Sequence, residues 1–377
     1  MNFDYTEEQR LLAESVRRFV ARDYDFEARK RTLASPAGMS DATWAAFAEM
    51  GLLGIAIPAE WDGFGGGAVD LMSVMEAFGA ALVVEPYLAT LIGAQLVARG
   101  GDDAQRRAVL PAVAQGAVRL ALATTEASSR YDLARVAARA RRDGADYVID
   151  GEKRVVVGGP QAHRILVTAR TAGEGAEPDG ISLFLVDARA QGITRTDYRT
   201  LDDLRACDLR FENVRVPPDA LIGPEGEALA LVEEVVDFAT ALVCAEAVGA
   251  IREANDATLE YLKTRKQFGV PIGSFQALQH RMVEMVITAE QARSMASLAC
   301  SRVDARPAAP ERRRIVSMAK VKIADACRQV SQESVQLHGG MGMTAELKVS
   351  HVFRRLTVIA QQFGDADHHL ERLARAS

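Results

Sequence analysis

The residue best placed by type and setting to move a proton is Glu246, inside the apolar run FATALVCAEAVGA (238–250). On a helix its neighbours three and four positions away are Leu242, Val243, Gly249 and Ala250, so no local cation can pair with it. A carboxyl buried there without a distant partner has a raised pKa, as a general base acting on a carbon acid requires. The competing reading is a structural carboxylate that reaches an arginine on another helix, such as Arg281 or Arg293. A second candidate is the loop Gly63-Phe64-Gly65-Gly66-Gly67-Ala68, whose glycines could bring backbone amides against a phosphate. No strand plainly leads into it, and Ala68 stands where G-x-G-x-x-G needs its third glycine, which favours an ordinary loop. Cys207, Cys244, Cys300 and Cys327 are widely separated, and the six histidines do not join them at ligand spacing, so neither disulfides nor a metal site is expected.

These residues need elements to hold them. A chain of 377 residues, 49% hydrophobic and 25% charged, can build two or three globular domains. A net charge of −6 and a pI near 5.7 leave no basic field for nucleic acid or anionic lipid and favour a small-molecule role. Met1 to Arg10 lacks a basic start and an apolar run, so no signal peptide and a cytoplasmic location are expected. The apolar stretches 80–98 and 239–250 are interrupted by Glu85-Pro86 and by Glu246, which argues against membrane insertion.

Residues 1–118 read as helical. Thr6 and Gln9 have capping-box spacing ahead of Leu12, Val16, Phe19 and Val20, and further helices fit 41–50 and 68–78. From 119 to 223, short β-branched runs (147–149, 155–157, 165–167, 181–186, 209–216) separated by Gly, Asp and Pro predict an antiparallel β-sandwich or barrel, with Gly151 suiting a hairpin turn. From 224 to 377 long helical patterns return, with turns at 305–310 and 339–342. The expected class is α+β: a helical domain, a β domain and a helical bundle.

The segment YLKTRKQFGVPIGSFQALQH (261–280), followed by QLHGGMG (336–342), resembles the acyl-CoA dehydrogenase family. Gly151-Glu152-Lys153, FENVRVP (211–217) and Leu221-Ile222-Gly223 extend the resemblance over essentially the whole chain. Within the family, NFDYTEEQRLLAESVRRFV near the start and FGDADHHL near the end are most similar to small subunits of bacterial pimeloyl-CoA dehydrogenases. The resemblance implies a C-terminal four-helix bundle, tetrameric assembly, FAD, and α,β-desaturation of an acyl-CoA thioester with electron-transfer flavoprotein as acceptor. In that reaction a carboxylate takes the α-proton while a hydride leaves the β-carbon for the flavin. Arg265, Phe268, Gln276, Gln336 and Gly340 match positions that hold the FAD of a neighbouring subunit, and Asp237 matches a position near the CoA end, although Thr240 stands where arginine is commoner. Absent that match, Arg265 and Gln336 would satisfy helix-end carbonyls, Phe268 would be core, and Asp237 would be an ordinary solvated helix residue.

The chain departs from the family where chemistry is done. The two places that carry the family's base correspond to Phe363, before Gly364, and to Ala239; Glu246 lies two helical turns beyond Ala239, on roughly the same face. The tryptophan and threonine usual beside the flavin are Val155 and Val157, and a glycine-rich turn is replaced by Thr125-Glu126-Ala127-Ser128-Ser129-Arg130-Tyr131. The part lent to a neighbour's FAD is kept while the chain's own flavin surroundings are altered. The expected arrangement is therefore a heteromer with a homologous large subunit; the alternatives are a homo-oligomer using Glu246, a silent structural subunit, or an oxygen-consuming flavoenzyme on this fold.

Overall fold

A computed structural model of the chain describes residues 6–306 and 308–376, so Met1 to Tyr5, Pro307 and Ser377, which enter the readings above, lie outside the described residues. The reciprocal cap predicted at the start forms: the Gln9 amide donates to Thr6 Oγ1 at 3.2 Å and the Thr6 amide donates to Gln9 Oε1 at 3.0 Å. It opens α1 (Glu7–Asp23), followed by α2 (Phe26–Ala34), α3 (Asp41–Glu49), α4 (Ala68–Ala81), α5 (Tyr87–Gly100) and α6 (Asp103–Ala114). The C-terminal helices are α7 (Ala228–Thr264), α8 (Gln276–Asp304), α9 (Ala309–His338), α10 (Lys348–Gln361) and α11 (Ala366–Ala376). None of the described helices is long and apolar enough to cross a membrane.

Between α6 and α7 lie β1 (Leu120–Ala123), β2 (Arg139–Asp143), β3 (Asp146–Val157), β4 (Arg164–Arg170), β5 (Ile181–Asp187), β6 (Ile193–Arg199), β7 (Arg205–Val216) and β8 (Leu221–Ile222). They form one sheet in the order β6-β7-β3-β2-β4-β5-β8, with β1 beside β4. Pairing is antiparallel as expected, except that β1 and a single residue of β2 run parallel to β4. The sequence of β1, Leu-Ala-Leu-Ala, has no polar face, which suits a strand covered on both sides. Its core includes Ile149, Ile165, Val167, Phe184, Leu209 and Phe211, with Tyr147 and Phe184 edge-to-face at 5.1 Å.

Gly151 does not make a hairpin turn. The strand β3 runs through it with a register shift against β7, at φ +139, and a Cβ there would stand 2.7 Å from Ala138 Cα. The glycine serves a bulge and a close backbone approach; the hairpin closes instead between Asp143 and Asp146.

Secondary structure changes type along the chain in the expected order, but the compact units do not follow it. One unit comprises Met1–Arg31, Gly67–Val83 and Thr240–Ser377, the other Thr32–Gly66 and Val84–Ala239. The reason α4 joins the C-terminal helices lies in two copies of one pattern, Glu76-Ala-Phe-Gly79 on α4 and Glu246-Ala-Val-Gly249 on α7. The helices cross so closely that a Cβ on Gly79 would overlap the Glu246 carbonyl and one on Gly249 would overlap the Glu76 carbonyl. Only glycine at both positions permits this approach. Asp304, the last residue of α8, adds a second tie by accepting from the amides of Ala68 (2.6 Å) and Val69 (2.9 Å) at the start of α4.

Candidate active site

Within the helical unit, Glu246 is buried and faces Arg355 of α10. The guanidinium donates from Nε to Oε1 at 2.6 Å and from Nη2 to Oε2 at 2.7 Å, a bidentate pair in which both side chains are buried. The condition that would make Glu246 a base, burial with no cation at hand, is not met. The carboxylate is structural, and its partner is neither Arg281, which pairs with Glu333, nor Arg293. Arg355 could have been found from the sequence, because it interrupts the apolar stripe Val352, Leu356, Ile359 on α10.

The loop between α10 and α11 carries Phe363 in a left-handed conformation (φ +60) beside Gly364 (φ +118). It is fixed from behind: buried Lys320 donates to the carbonyls of Ala360 (3.1 Å) and Gly364 (2.6 Å), and His369 Nε2 donates to the Phe363 carbonyl at 3.1 Å. With Nε2 the donor, Nδ1 accepts from Ser317 at 3.1 Å, so His369 is neutral. A backbone suited to display one side chain is present, and that side chain cannot take a proton. Ala239 is buried in α7, and Asp237 is buried as well rather than solvated.

The five residues expected to hold a neighbour's cofactor are all exposed. Arg265 follows α7 and leads into a two-residue hairpin, β9 (Lys266–Gln267) and β10 (Val270–Pro271), whose turn residues Phe268 (φ +54) and Gly269 (φ +83) both have positive φ. That turn favours Asn-Gly, so an aromatic at its first position is strained, and Phe268 is nevertheless 91% exposed. Gln276 opens α8, Gln336 lies in the last turn of α9, and an added Cβ on Gly339 or Gly340 would meet nothing within 4 Å. A guanidinium, two amides, an uncovered ring and open glycine backbone fit the adenine and pyrophosphate end of FAD. Neither bland alternative, helix-end capping for Arg265 or core for Phe268, agrees with this exposure.

In the β unit, the strand segment expected beside a flavin ring is a bulge. Lys153 pairs with Leu209 and Val156 with Cys207, so Arg154 and Val155 together oppose Asp208. Val155 has φ +52 and is 50% exposed, an unusual state for a β-branched residue. Lys153 is fully buried and donates to Glu126 at 2.6 Å and Thr168 at 3.1 Å. Burial pushes its pKa below the usual lysine range, against the pull of Glu126. Glu126 also accepts from the amides of Ala137 (2.7 Å) and Ala138 (3.1 Å), and the Arg154 amide donates to the Thr125 carbonyl at 2.8 Å, tying the 125–131 turn to the bulge. Arg130, in the place of a glycine, adopts φ +47. The frame for a ring is therefore built, while Val155 and Val157 supply neither an aromatic face nor a hydroxyl.

The glycine-rich loop is no phosphate cradle. The amides of Gly63, Phe64, Gly65 and Gly66 donate to the carbonyls of Pro58, Gly54, Ile57 and Ile55 at 2.8–3.2 Å. The Gly67 amide donates to Asp70 at 2.8 Å. Its donors are spent on its own backbone, and the following helix start is filled by Asp304.

Three family models match the chain: acyl-CoA dehydrogenase N-terminal domain over residues 6–117, middle domain over 121–214 and C-terminal domain over 229–377. Acyl-CoA dehydrogenase FadE12 of Mycobacterium tuberculosis is 32% identical over 368 residues, covering 93% of this chain and 90% of that protein. Among solved structures, a variant of the Tcur3481-Tcur3483 steroid ACAD superposes with a TM-score of 0.88 at 29% identity, covering 98% of this chain and 97% of that one. The ChsE4-ChsE5 complex from M. tuberculosis gives 0.89 at 25% identity, over 100% of this chain and 98% of that one.

Proposed function

Since the chain belongs to the acyl-CoA dehydrogenase family, flavin-dependent oxidoreductases acting on CH–CH bonds, we propose that it serves as one subunit of a heteromeric enzyme desaturating an acyl-CoA thioester. Its role in that assembly is to clamp the adenine end of FAD across the interface. The observation that carries this reading is the exposure of Arg265, Phe268, Gln276, Gln336 and Gly340, with the Phe268 ring 91% uncovered on a strained hairpin tip. Within the chain, in contrast, Phe363 and Ala239 occupy the base positions and Glu246 is tied to Arg355.

The partner is a related acyl-CoA dehydrogenase chain that brings the base. Structures with two-part names, Tcur3481-Tcur3483 and ChsE4-ChsE5, share this fold and lend support. When bound, FAD supplies the hydride acceptor. Arg265 neutralises pyrophosphate charge, Phe268 covers adenine, and Gln276 and Gln336 hydrogen-bond its polar edges. Asp237 is too deeply buried to meet CoA by itself and acts through the shape of α7. Electron-transfer flavoprotein is the acceptor in this reading, and the four buried free cysteines suit a reducing cytoplasm.

The test is reconstitution. The chain is assayed alone and with a related dehydrogenase chain from the same genome, against a panel of acyl-CoA thioesters that includes pimeloyl-CoA. Desaturation by the pair and none by the chain alone is expected; equal turnover by the chain alone rejects the reading.

A further inference from the structure

The bulge of β3 is held by the one residue it faces. Two residues, Arg154 and Val155, oppose Asp208 of β7, and the Asp208 carboxylate gathers three donors. Oδ1 accepts from the Val155 amide at 3.0 Å and from Tyr198 Oη at 2.8 Å, and Oδ2 accepts from Arg154 Nη1 at 2.7 Å. A left-handed valine costs on the order of 1–3 kcal/mol and persists only where its surroundings impose it. Glycine or asparagine would relieve that strain, yet the chain keeps an apolar β-branched residue there with half its surface uncovered.

We propose that Asp208 is a positioning residue: it holds Val155 as a rigid apolar contact for the flavin ring of a second FAD, seated on this chain's own β unit. This rests on the FAD reading above and goes beyond it. The clamp at Arg265 and Phe268 serves the partner's cofactor, whereas the bulge keeps this chain's ring platform in shape after the loss of its aromatic. The Lys153–Glu126 pair and the Arg154–Thr125 hydrogen bond hold the same platform from its inner side. A compact side chain that cannot stack can still exclude water from one ring face, provided its backbone stays where Asp208 puts it.

The experiment counts FAD in the reconstituted complex and records its visible circular dichroism for wild type, Asp208→Leu, Asp208→Asn and Val155→Gly/Asp208→Leu. Tyr198 ionisation, followed by ultraviolet titration of the isolated chain, reports separately on the Asp208 network. Burial and then the Asp208 carboxylate push the Tyr198 hydroxyl up to about 12, so both Asp208 variants lower it. Two FAD per heterodimer are expected in wild type, and about one in Asp208→Leu. Asp208→Asn keeps two, because its amide oxygen still accepts from Val155. The glycine double variant also keeps two, because glycine holds a left-handed backbone without help. If Tyr198 shifts but Asp208→Leu retains wild-type FAD content and dichroism, the positioning role is overturned. A wild-type complex with one FAD, untouched by Asp208→Leu, overturns the second site and leaves the clamp standing. A complex that holds no FAD removes the FAD reading itself.

Discussion

Glu246 and Arg355 meet through two hydrogen bonds of 2.6 and 2.7 Å between α7 and α10, with both side chains buried. Removing one partner of such a pair leaves an uncompensated buried charge, which costs ~3–5 kcal/mol. Glu246→Ala should destabilise the chain by that amount in urea unfolding, and a Glu246→Leu/Arg355→Met double variant should recover most of it. A Glu246→Gln chain of normal stability whose complex no longer turns over would instead reinstate Glu246 as the base.

The glycine crossing of α4 and α7 gives a prediction whose sign is opposite to the usual rule. Replacing a mid-helix glycine by alanine ordinarily gains about 1 kcal/mol of helix propensity. At Gly79 or Gly249 the new methyl would overlap a carbonyl of the facing helix, so either substitution should cost ~1–3 kcal/mol or more. Thermal unfolding of each alanine variant decides it; a raised Tm would show that the helices are not in contact there.

His369 makes stability depend on pH. Burial, then Lys320, lowers its pKa from 6.5 to about 3. Between these values the unfolded chain binds a proton that the folded chain refuses, so stability rises with pH. The contribution is complete above pH 6.5 and is lost as pH falls towards 3, by up to ~5 kcal/mol. His369→Gln should flatten the slope of unfolding free energy over that range, and an unchanged slope would place the sensitivity elsewhere.

Much of this architecture is legible in the residues, for physical reasons that differ by element. The Thr6–Gln9 cap, the long helical periods after 224 and the β-branched runs between 119 and 223 are local signals, and each forms as expected. Gly151 misleads because a glycine between two β runs signals a turn and a bulge equally well, and only the approach of Ala138 distinguishes them. The role of Glu246 turns on Arg355, 109 positions away, where sequence spacing carries no information about distance. Asp208 leaves no local signature, since its function depends on which strand pairs with β3. The division of the chain into two interleaved units is hidden for the same reason: Gly79 and Gly249, which dock α4 on α7, lie far apart in the sequence.

The clamp should be separable from folding. Phe268 and Arg265 are exposed, so Phe268→Ser and Arg265→Gln should leave the melting temperature of the isolated chain within about a degree, as surface changes usually do. In the reconstituted complex each should weaken FAD binding by about tenfold or more, since losing a charge-assisted or stacking contact is worth roughly 1–3 kcal/mol. Equilibrium dialysis against FAD measures the effect, and wild-type affinity in both variants would remove these residues from the cofactor site.

The central claim, a subunit that completes a partner's flavin site and cannot work alone, is tested most directly by the visible absorption spectrum of the purified chain, without and with its partner, alongside acyl-CoA turnover. The account predicts a nearly colourless, inactive chain alone and a yellow, active complex. A yellow isolated chain carrying one FAD and desaturating acyl-CoA at the rate of the complex would contradict it.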